Sequence, residues 1–174
     1  MIKLLILDID GVLTDGRKYY GIDGIPFAKT YCDKDFTAIK MIRAAGIKVC
    51  FLSGDSRVNK RMAKNRNIDF YDARGKDKSD FLLGFEQKYK ATADEMAYIG
   101  DDLFDLSIME KVKYRFCPKD ASSFIVAACG AENVIDRPGG CNVIAKLADI
   151  LLERKLMQKP TMQAIEDLDK NEKF

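Results

Sequence analysis

The sequence predicts an α/β protein built on a doubly wound parallel sheet, and three observations support this prediction. The chain has 174 residues, of which 47% are hydrophobic and 32% are charged, enough for one domain with a substantial core. Short apolar runs that favour strands alternate along the chain with segments of helical periodicity. The first run, at residues 4–7, contains no polar residue, as expected of a strand buried on both faces of a parallel sheet.

The elements of the first half follow in order from this strand. A hairpin is expected over residues 17–31, because Asp23-Gly24 is a favoured tight-turn pair between short apolar and aromatic runs. The hairpin would expose several apolar side chains, so it should pack on the body of the protein or on a neighbouring subunit. Apolar residues at helical spacing, ended by Gly46, predict a helix over residues 35–45. A strand at 47–52, a helix around Val58 and Met62, and a strand at 68–71 come next.

The second half continues the alternation. Ser79 is a candidate cap for a helix whose apolar stripe includes Leu82 and Phe85. The later elements are a strand at 96–99, a helix around Leu106, a strand at 114–117, a helix at 121–128, an edge strand at 133–135 and a helix at 143–151. Polar residues after Lys155 predict a mobile tail or a segment that a partner orders. The predicted organisation is therefore a domain at residues 1–154 and a C-terminal tail at residues 155–174.

Composition excludes several classes of function. A net charge of +2 with interspersed acids and bases gives no indication of nucleic acid as a partner. No apolar run is long enough to span a membrane, and no signal-peptide pattern is present, so a cytoplasmic location is expected. The five cysteines form no C-x-x-C pair, which argues against a zinc site or a disulfide framework. The chain has no histidine, which excludes Ser-His-Asp triads, Cys-His pairs and phosphohistidine chemistry.

Four polar clusters fall at the ends of predicted strands or just before helices. In a parallel sheet such positions converge on the carboxyl edge, where ligands bind. Clustered carboxylates repel one another, so a cation is expected among them. Taken singly, each cluster could be an ordinary solvated turn or helix start, and it is the combination that indicates a site. The clusters are Asp8 with Asp10, Ser53 with Gly54, Lys78, and Asp101 with Asp102 and Asp105.

The order of these clusters resembles the haloacid dehalogenase-like phosphatase superfamily. That superfamily has Asp-x-Asp after the first strand, then Ser or Thr, then Lys, then Gly-Asp-Asp-x-x-Asp. A closer resemblance, over residues 2–152, is to the capless sugar phosphatases of the 3-deoxy-manno-octulosonate 8-phosphate phosphatase type. It implies a Rossmann-like sheet with a hairpin flap after the first strand and no cap domain. The stretches that carry it are 10–16, the hairpin, Lys34-Asp35, Gly100-Asp101-Asp102 and Arg137 with Gly139-Gly140.

The resemblance implies a Mg²⁺-dependent phosphatase that acts on a small sugar phosphate. Asp8 would attack phosphorus, and Asp10 would protonate the leaving oxygen and later activate water. Asp8, the backbone carbonyl of Asp10 and Asp101 would hold Mg²⁺, while Ser53, Gly54 and Lys78 would hold phosphoryl oxygens. The remaining roles are supporting positions for Asp102 and Asp105, and substrate binding for Lys34 and Arg137.

Two departures from the family pattern leave the identity of the sugar open. Asp55 stands where these phosphatases usually have arginine, and such an acid should disfavour a substrate carboxylate nearby. Phe36 stands where glycine is usual. Family members of this capless type close their open site with neighbouring subunits, so the resemblance also implies a homotetramer.

Two other classes of function compete with this interpretation. Receiver-like phosphoacceptor domains also combine acids, Ser or Thr, and Lys at a sheet edge, but their phosphorylated Asp lies mid-chain and no hairpin is expected after the first strand. A non-catalytic assembly module derived from a phosphatase is the other alternative. It is disfavoured because every reactive position of the motif set is present.

Overall fold

The structure, a computed structural model, describes residues 1–173 and contains one parallel sheet with helices on both faces. The sheet has six strands in the order β5-β4-β1-β6-β7-β8, and each neighbouring pair is parallel. A separate two-stranded antiparallel ribbon, β2-β3, is the hairpin. The strands are β1 Leu4–Leu7, β2 Tyr19–Tyr20, β3 Pro26–Ala28, β4 Lys48–Ser53, β5 Asp69–Asp72, β6 Met96–Ile99, β7 Tyr114–Pro118 and β8 Val134–Ile135. The predicted doubly wound sheet is confirmed.

The α-helices form two layers on the sheet. They are α1 Asp33–Ala44, α2 Ser56–Asn65, α3 Leu82–Tyr89, α4 Leu106–Met109, α5 Ser123–Cys129, α6 Val143–Glu153 and α7 Met162–Asp169. One core cluster joins α1, α2 and α6 to one face, and a second joins α3, α4 and α5 to the other. Strand β1 contributes Leu5 and Leu7 to the first cluster and Leu4 and Ile6 to the second, and all four are fully buried. The predicted burial on both faces is therefore present.

The order of the strands reverses at β1. The chain passes from β1 outward through β4 to β5, then crosses to β6 on the other side of β1 and continues outward to β8. In open parallel sheets such a reversal leaves a crevice at the carboxyl ends of the central strands, and ligands bind there. The residues that follow β1, β4 and β6 meet at this crevice.

The hairpin lies beside α2 and presents an apolar surface. Its apolar side chains are exposed, with Tyr19 at 57%, Tyr20 at 60%, Ile22 at 111% and Phe27 at 66%. Both predicted features of this segment, the hairpin and the exposure of its apolar residues, are present. Its stems are held to the body by polar contacts described below.

Two local features differ from the predictions. The segment before α3 begins as a short 3₁₀ helix, Lys78–Phe81, and Asp77 rather than Ser79 caps it by accepting from the Ser79 N–H at 2.8 Å. The expected tail contains helix α7, which packs against α1. Glu172, whose side chain is 2% exposed, lies 3.2 Å from both Arg43 and Arg66. These ion pairs hold the segment to the body of the protein. The spacing of apolar residues in the sequence therefore does not predict that the segment is held.

Among residues 1–173, no helix combines the length and the apolar character that crossing a membrane would require.

Candidate active site

Asp8 stands directly after β1, at the reversal of strand order. Its N–H donates to the carbonyl of Ile99 at 3.0 Å, which ties the end of β1 to β6. Its Oδ1 accepts from the N–H of Ile9 at 2.7 Å, and its Oδ2 lies 3.0 Å from Lys78 Nζ. The carboxylate is buried and held from two sides, so its orientation is fixed before any ligand binds.

A buried network supports Lys78. Its Nζ lies 2.5 Å from Asp105 Oδ1 and 3.1 Å from the hydroxyl of Tyr98, which itself donates to Asp105 Oδ1. Asp105 Oδ2 accepts from the N–H groups of Asp101 and Asp102 at 2.8 and 3.0 Å. Both oxygens of Asp105 are thus engaged within the protein, so this residue orients Lys78 and the loop after β6.

Three carboxylates converge at this point. Asp8, Asp101 and Asp105 each place one oxygen so that the three oxygens lie within 4.8 Å of one another. Asp101 Oδ1 is buried and has no hydrogen-bond partner among the described residues, so one oxygen of the cluster is left for a ligand. A set of hard oxygen donors suits Mg²⁺, and none of the three residues offers nitrogen or sulfur.

Gly11 makes the approach of Asp101 possible. A Cβ at this position would lie 2.0 Å from Asp101 Oδ2, and the φ of +88° is in the left-handed region that favours glycine. Thr14, which is fully buried, accepts from the N–H groups of Gly11 and Gly16 and thereby folds the turn after Asp10. The Gly-containing turn of the motif therefore serves to bring the backbone against a carboxylate.

Burial, together with the neighbouring carboxylates, raises the pKa values of Asp8 and Asp101. Burial raises the pKa of Asp8 to about 7, with Asp105 adding to the shift and Lys78 opposing it. Burial also raises the pKa of Asp101 to about 8, and the neighbouring charges of Asp8 and Asp105 add to it. These two carboxyl groups have raised pKa values although Lys78 is close to them. A divalent cation bound between them would stabilise their ionised form.

Asp10 lies on the other side of the crevice, in a polar network with Ser53. Asn59, fully buried on α2, donates to Asp10 Oδ2 and to Ser53 Oγ, both at 3.1 Å. Lys29 Nζ donates to both oxygens of Asp10, at 2.7 and 2.8 Å. Tyr31 donates to Asn59 Oδ1 at 2.9 Å. The stem of the hairpin thus reaches the candidate site through Lys29 and Tyr31.

Asp55 does not stand in the site as a free negative charge. Its Oδ2 lies 2.9 Å from the Nζ atoms of both Lys18 and Lys29. Burial alone would raise the pKa of Asp55, but the contacts with these two ammonium groups outweigh burial and lower the pKa to about 2. The acid at this position is therefore neutralised by the hairpin.

These groups border a cavity of about 570 Å³ at the carboxyl edge of the sheet. The lining combines carboxylates with cations, which is an arrangement suited to a metal-bound phosphate ester. The lining includes Asp8, Asp10, Ser53, Gly54, Lys78, Asp101, Asp102 and Asp105, together with Lys18, Arg74, Lys76 and the exposed ring of Phe104.

Comparison with curated proteins shows what the chain is similar to, although no family model matches it. The 3-deoxy-D-manno-octulosonate 8-phosphate phosphatase of Haemophilus influenzae is 31% identical over 153 residues, which are 87% of this chain and 83% of the relative. The enzyme of the same name from Escherichia coli K12 is 31% identical over 156 residues, covering 87% of this chain and 79% of the relative. This chain belongs to that phosphatase family, within the haloacid dehalogenase-like superfamily.

Solved structures agree with this assignment. A cobalt-bound octulosonate phosphatase of H. influenzae superposes with a TM-score of 0.80 at 33% identity, covering 87% of this chain and 88% of the other. The enzyme of Moraxella catarrhalis, in complex with magnesium, phosphate and the sugar acid, superposes with a TM-score of 0.79 at 25% identity, covering 87% and 86%. The capless architecture predicted for this phosphatase is thus confirmed.

The structure brings together most, but not all, of the predicted site residues of this phosphatase. The acids, Ser53, Gly54 and Lys78 line one cavity. Lys34 does not, because it lies on the exposed face of α1. Arg137 is also outside the cavity lining, on a turn where its guanidinium contacts Asp136. Asp35, beside Lys34, accepts from the N–H groups that begin α6 and so has a structural part.

Several polar residues of this phosphatase site were not predicted from the sequence. Asn59 lies within the helix after the second-strand motif, and Lys18 and Lys29 lie on a hairpin that was predicted only as a ribbon. Tyr98 lies inside an apolar strand and has the pattern of a core residue. Asn59 and Tyr98 are polar residues on otherwise apolar faces of a helix and a strand. This feature of the sequence does not, without the fold, indicate that they share a site.

Proposed function

We propose that this chain is a Mg²⁺-dependent phosphatase that hydrolyses the phosphate monoester of a small acidic sugar of the 3-deoxy-D-manno-octulosonate 8-phosphate class. One observation carries the proposal above the others. Asp8, at the switch point of the sheet, is buried against Lys78 and shares a cluster of close carboxylate oxygens with Asp101. Family membership supports the same reaction.

In the proposed reaction, the carboxylate of Asp8 attacks phosphorus, and the bond to the sugar oxygen breaks. Asp10 donates a proton to that leaving oxygen, so the sugar departs as an alcohol. Asp10, now ionised, removes a proton from water, which attacks the aspartyl-phosphate and releases phosphate with Asp8 restored. Ser53, the backbone of Gly54 and Lys78 would hold the phosphoryl oxygens throughout.

The proposed cation is Mg²⁺, held by Asp8, the backbone carbonyl of Asp10 and Asp101. When bound, it offsets the repulsion between an anionic nucleophile and an anionic phosphate. The unpartnered oxygen of Asp101 and the raised pKa values of Asp8 and Asp101 support a cation at this place. Asp102 and Asp105 are proposed as supporting residues, since Asp105 is saturated by Lys78, Tyr98 and backbone donors.

The acidic group of the sugar is proposed to meet the cationic wall formed by Arg74 and Lys76. Arg74 Nε donates to the carbonyl of Gly54 at 3.0 Å, which fixes the guanidinium at the cavity wall beside the phosphoryl site. The expectation that Asp55 repels a substrate carboxylate is weakened, because Lys18 and Lys29 neutralise it. Lys34 and Arg137 have no part in this proposal, since neither lines the cavity.

The test is release of phosphate from a panel of sugar phosphates, with Mg²⁺ and with a chelator, for the wild type, Asp8→Asn and Asp136→Asn. Asp136, with an 80% exposed side chain outside the cavity, is the matched control. We expect Mg²⁺-dependent turnover in the wild type and control, and a loss of about 10³-fold or more in Asp8→Asn. Stoichiometric labelling from acetyl phosphate without turnover would instead favour a receiver-like domain. No reaction under any condition would favour a non-catalytic assembly module.

We also propose that the chain works as a cytoplasmic homotetramer. The apolar surface of the hairpin, which the chain leaves exposed, supports contact with further copies. All five cysteines are free, as is usual in a reducing compartment, and this supports the location.

A further inference from the structure

A lysine of the hairpin lies buried against the proposed proton-transfer residue. The side chain of Lys29 is 0% exposed, and its Nζ donates to both oxygens of Asp10. The same Nζ lies 2.9 Å from Asp55 Oδ2 and 3.0 Å from Asn59 Oδ1. An ammonium has three donor hydrogens, and two hydrogen bonds to Asp10 and one to Asn59 use all of them, while Asp55 adds an ion pair.

An ion pair that merely fastens the hairpin would not require this arrangement. Lys18 already joins the hairpin to Asp55 at 2.9 Å, and Tyr31 joins it to Asn59. The other contacts of Asp10 are longer, 3.1 Å from Asn59 and 3.5 Å from Thr14. Lys29 is therefore the group that chiefly sets the orientation of the Asp10 carboxylate.

We propose that Lys29 is a positioning residue, which fixes Asp10 for proton transfer to the leaving sugar oxygen, and that Asp55 holds Lys29 in place. The inference rests on the proposed function, because that proposal gives Asp10 the proton transfer. Displacement of a catalytic group by about 1 Å can lower a rate by about 10²-fold, so a fixed orientation matters. Asp55, which departs from the family pattern, thereby has a role that does not involve touching substrate.

The first experiment compares two leaving groups in Lys29→Met. The kcat/KM covers the steps up to the phosphorylated Asp8, including protonation of the leaving oxygen. We expect a fall of about tenfold for an alkyl sugar phosphate, whose alkoxide must be protonated as it leaves. For p-nitrophenyl phosphate, whose anion departs without a proton, we expect a change of less than about twofold. Lys60→Met, at an exposed position of the same helix as Asn59, should leave both values unchanged.

The second experiment repeats Lys29→Met in the background of Asp10→Asn. If Lys29 acts through Asp10, its replacement should lower kcat/KM for the sugar phosphate much less there than in the wild type. Equal losses for both leaving groups, or an undiminished loss in the Asp10→Asn background, would overturn the proposal and leave Lys29 a structural role only. Full activity of Asp10→Asn itself would instead overturn the role given to Asp10, so the two failures are distinguishable.

Lys29→Arg guards against misfolding of the first variant. It keeps the positive charge between Asp10 and Asp55, so it should fold, as circular dichroism would verify. Its planar guanidinium cannot place one nitrogen against all three acceptors. The same dependence on leaving group is therefore expected in Lys29→Arg, and an absence of that dependence in the folded variant would count against the proposal.

Discussion

At the scale of single residues, three carboxylates gather around Lys78 at the carboxyl end of β1. Asp8, Asp101 and Asp105 converge there, and Lys78 pairs with Asp8 and Asp105. Asp8 and Asp105 are buried, so their repulsion is screened less than it would be on the surface. A bound cation would offset the repulsion between these carboxylates. Metal binding should therefore increase the stability of the folded protein.

This coupling gives a pH dependence with a definite sign. The pKa of Asp101 is raised from 3.8 to about 8, so the folded protein holds a proton that the unfolded chain releases. Without Mg²⁺, the free energy of unfolding should therefore fall as the pH rises from about 4 to about 8. Asp101→Asn removes the group, so above pH 8 the metal-free variant should be more stable than the wild type by on the order of 2 kcal/mol.

Chemical denaturation at pH 5 and pH 8.5, with Mg²⁺ and with a chelator, checks this prediction. Mg²⁺ should stabilise the wild type at the higher pH and have a much smaller effect on Asp101→Asn. Asp136→Asn, with an exposed carboxyl outside the cavity, should respond like the wild type. A metal-free wild type whose stability does not fall relative to Asp101→Asn would contradict the argument.

Single residues also show how far the sequence could be interpreted alone. Asp8 and Asp101 follow strands and Lys78 precedes a helix, so their convergence could be predicted from the topology of a parallel sheet. The pairing of Asp55 with two lysines could not be predicted, because both lysines lie on a hairpin that is distant along the chain. When the path of a loop brings two side chains together, no regular spacing in the sequence predicts their contact.

At the scale of elements, the strands were the most predictable part of the chain. Each is a short apolar run with polar residues at its ends, and the six that form the sheet are present close to their expected bounds. Helix α7 was not predicted. Its attachment to α1 and α2 depends on acids meeting Lys40, Arg43 and Arg66, and each of these residues taken alone resembles a solvated surface residue.

The attachment of α7 can be tested at Glu172. Its side chain lies among Lys40, Arg43 and Arg66, and Glu172→Gln would leave these three cations less balanced. We expect a loss of about 1 to 3 kcal/mol in the local stability of the α7 segment, because removing one member of a buried ionic group is strongly destabilising. Hydrogen exchange of α7 and proteolysis at residues 155–161 would report the loss.

Asp167→Asn is the matched control on the same helix. The side chain of Asp167 is 59% exposed and contacts Gln163 and Lys170, which are near it along the chain, so its replacement should leave both measurements unchanged. If Glu172→Gln were as protected as the wild type, the ionic cluster would not be what holds the helix.

At the scale of the whole molecule, the hairpin connects the inside of the site to the outside of the protein. Its stem residues reach Asp10 and Asp55, whereas its tip presents Ile22 and Phe27 to solvent. The hairpin therefore joins an exposed apolar surface to two residues of the candidate site. The sequence predicted an apolar hairpin that packs on the body of the protein or on a neighbouring subunit, but the number and symmetry of subunits cannot be predicted from the pattern of one chain.

The proposed tetramer gives a prediction at Ile22, the most exposed large apolar residue described in the structure. Light scattering should give the wild type a mass four times that of the 19.6 kDa chain. Ile22→Asp should dissociate it, because burying an unpaired carboxylate in an apolar contact is strongly unfavourable.

The control is Leu83→Asp, at a 66% exposed position of α3 on the opposite face of the sheet, which should stay assembled. A wild type that is monomeric and fully active would show that the cavity needs no neighbour. Dissociation by Leu83→Asp alone would move the contact to the other helical layer.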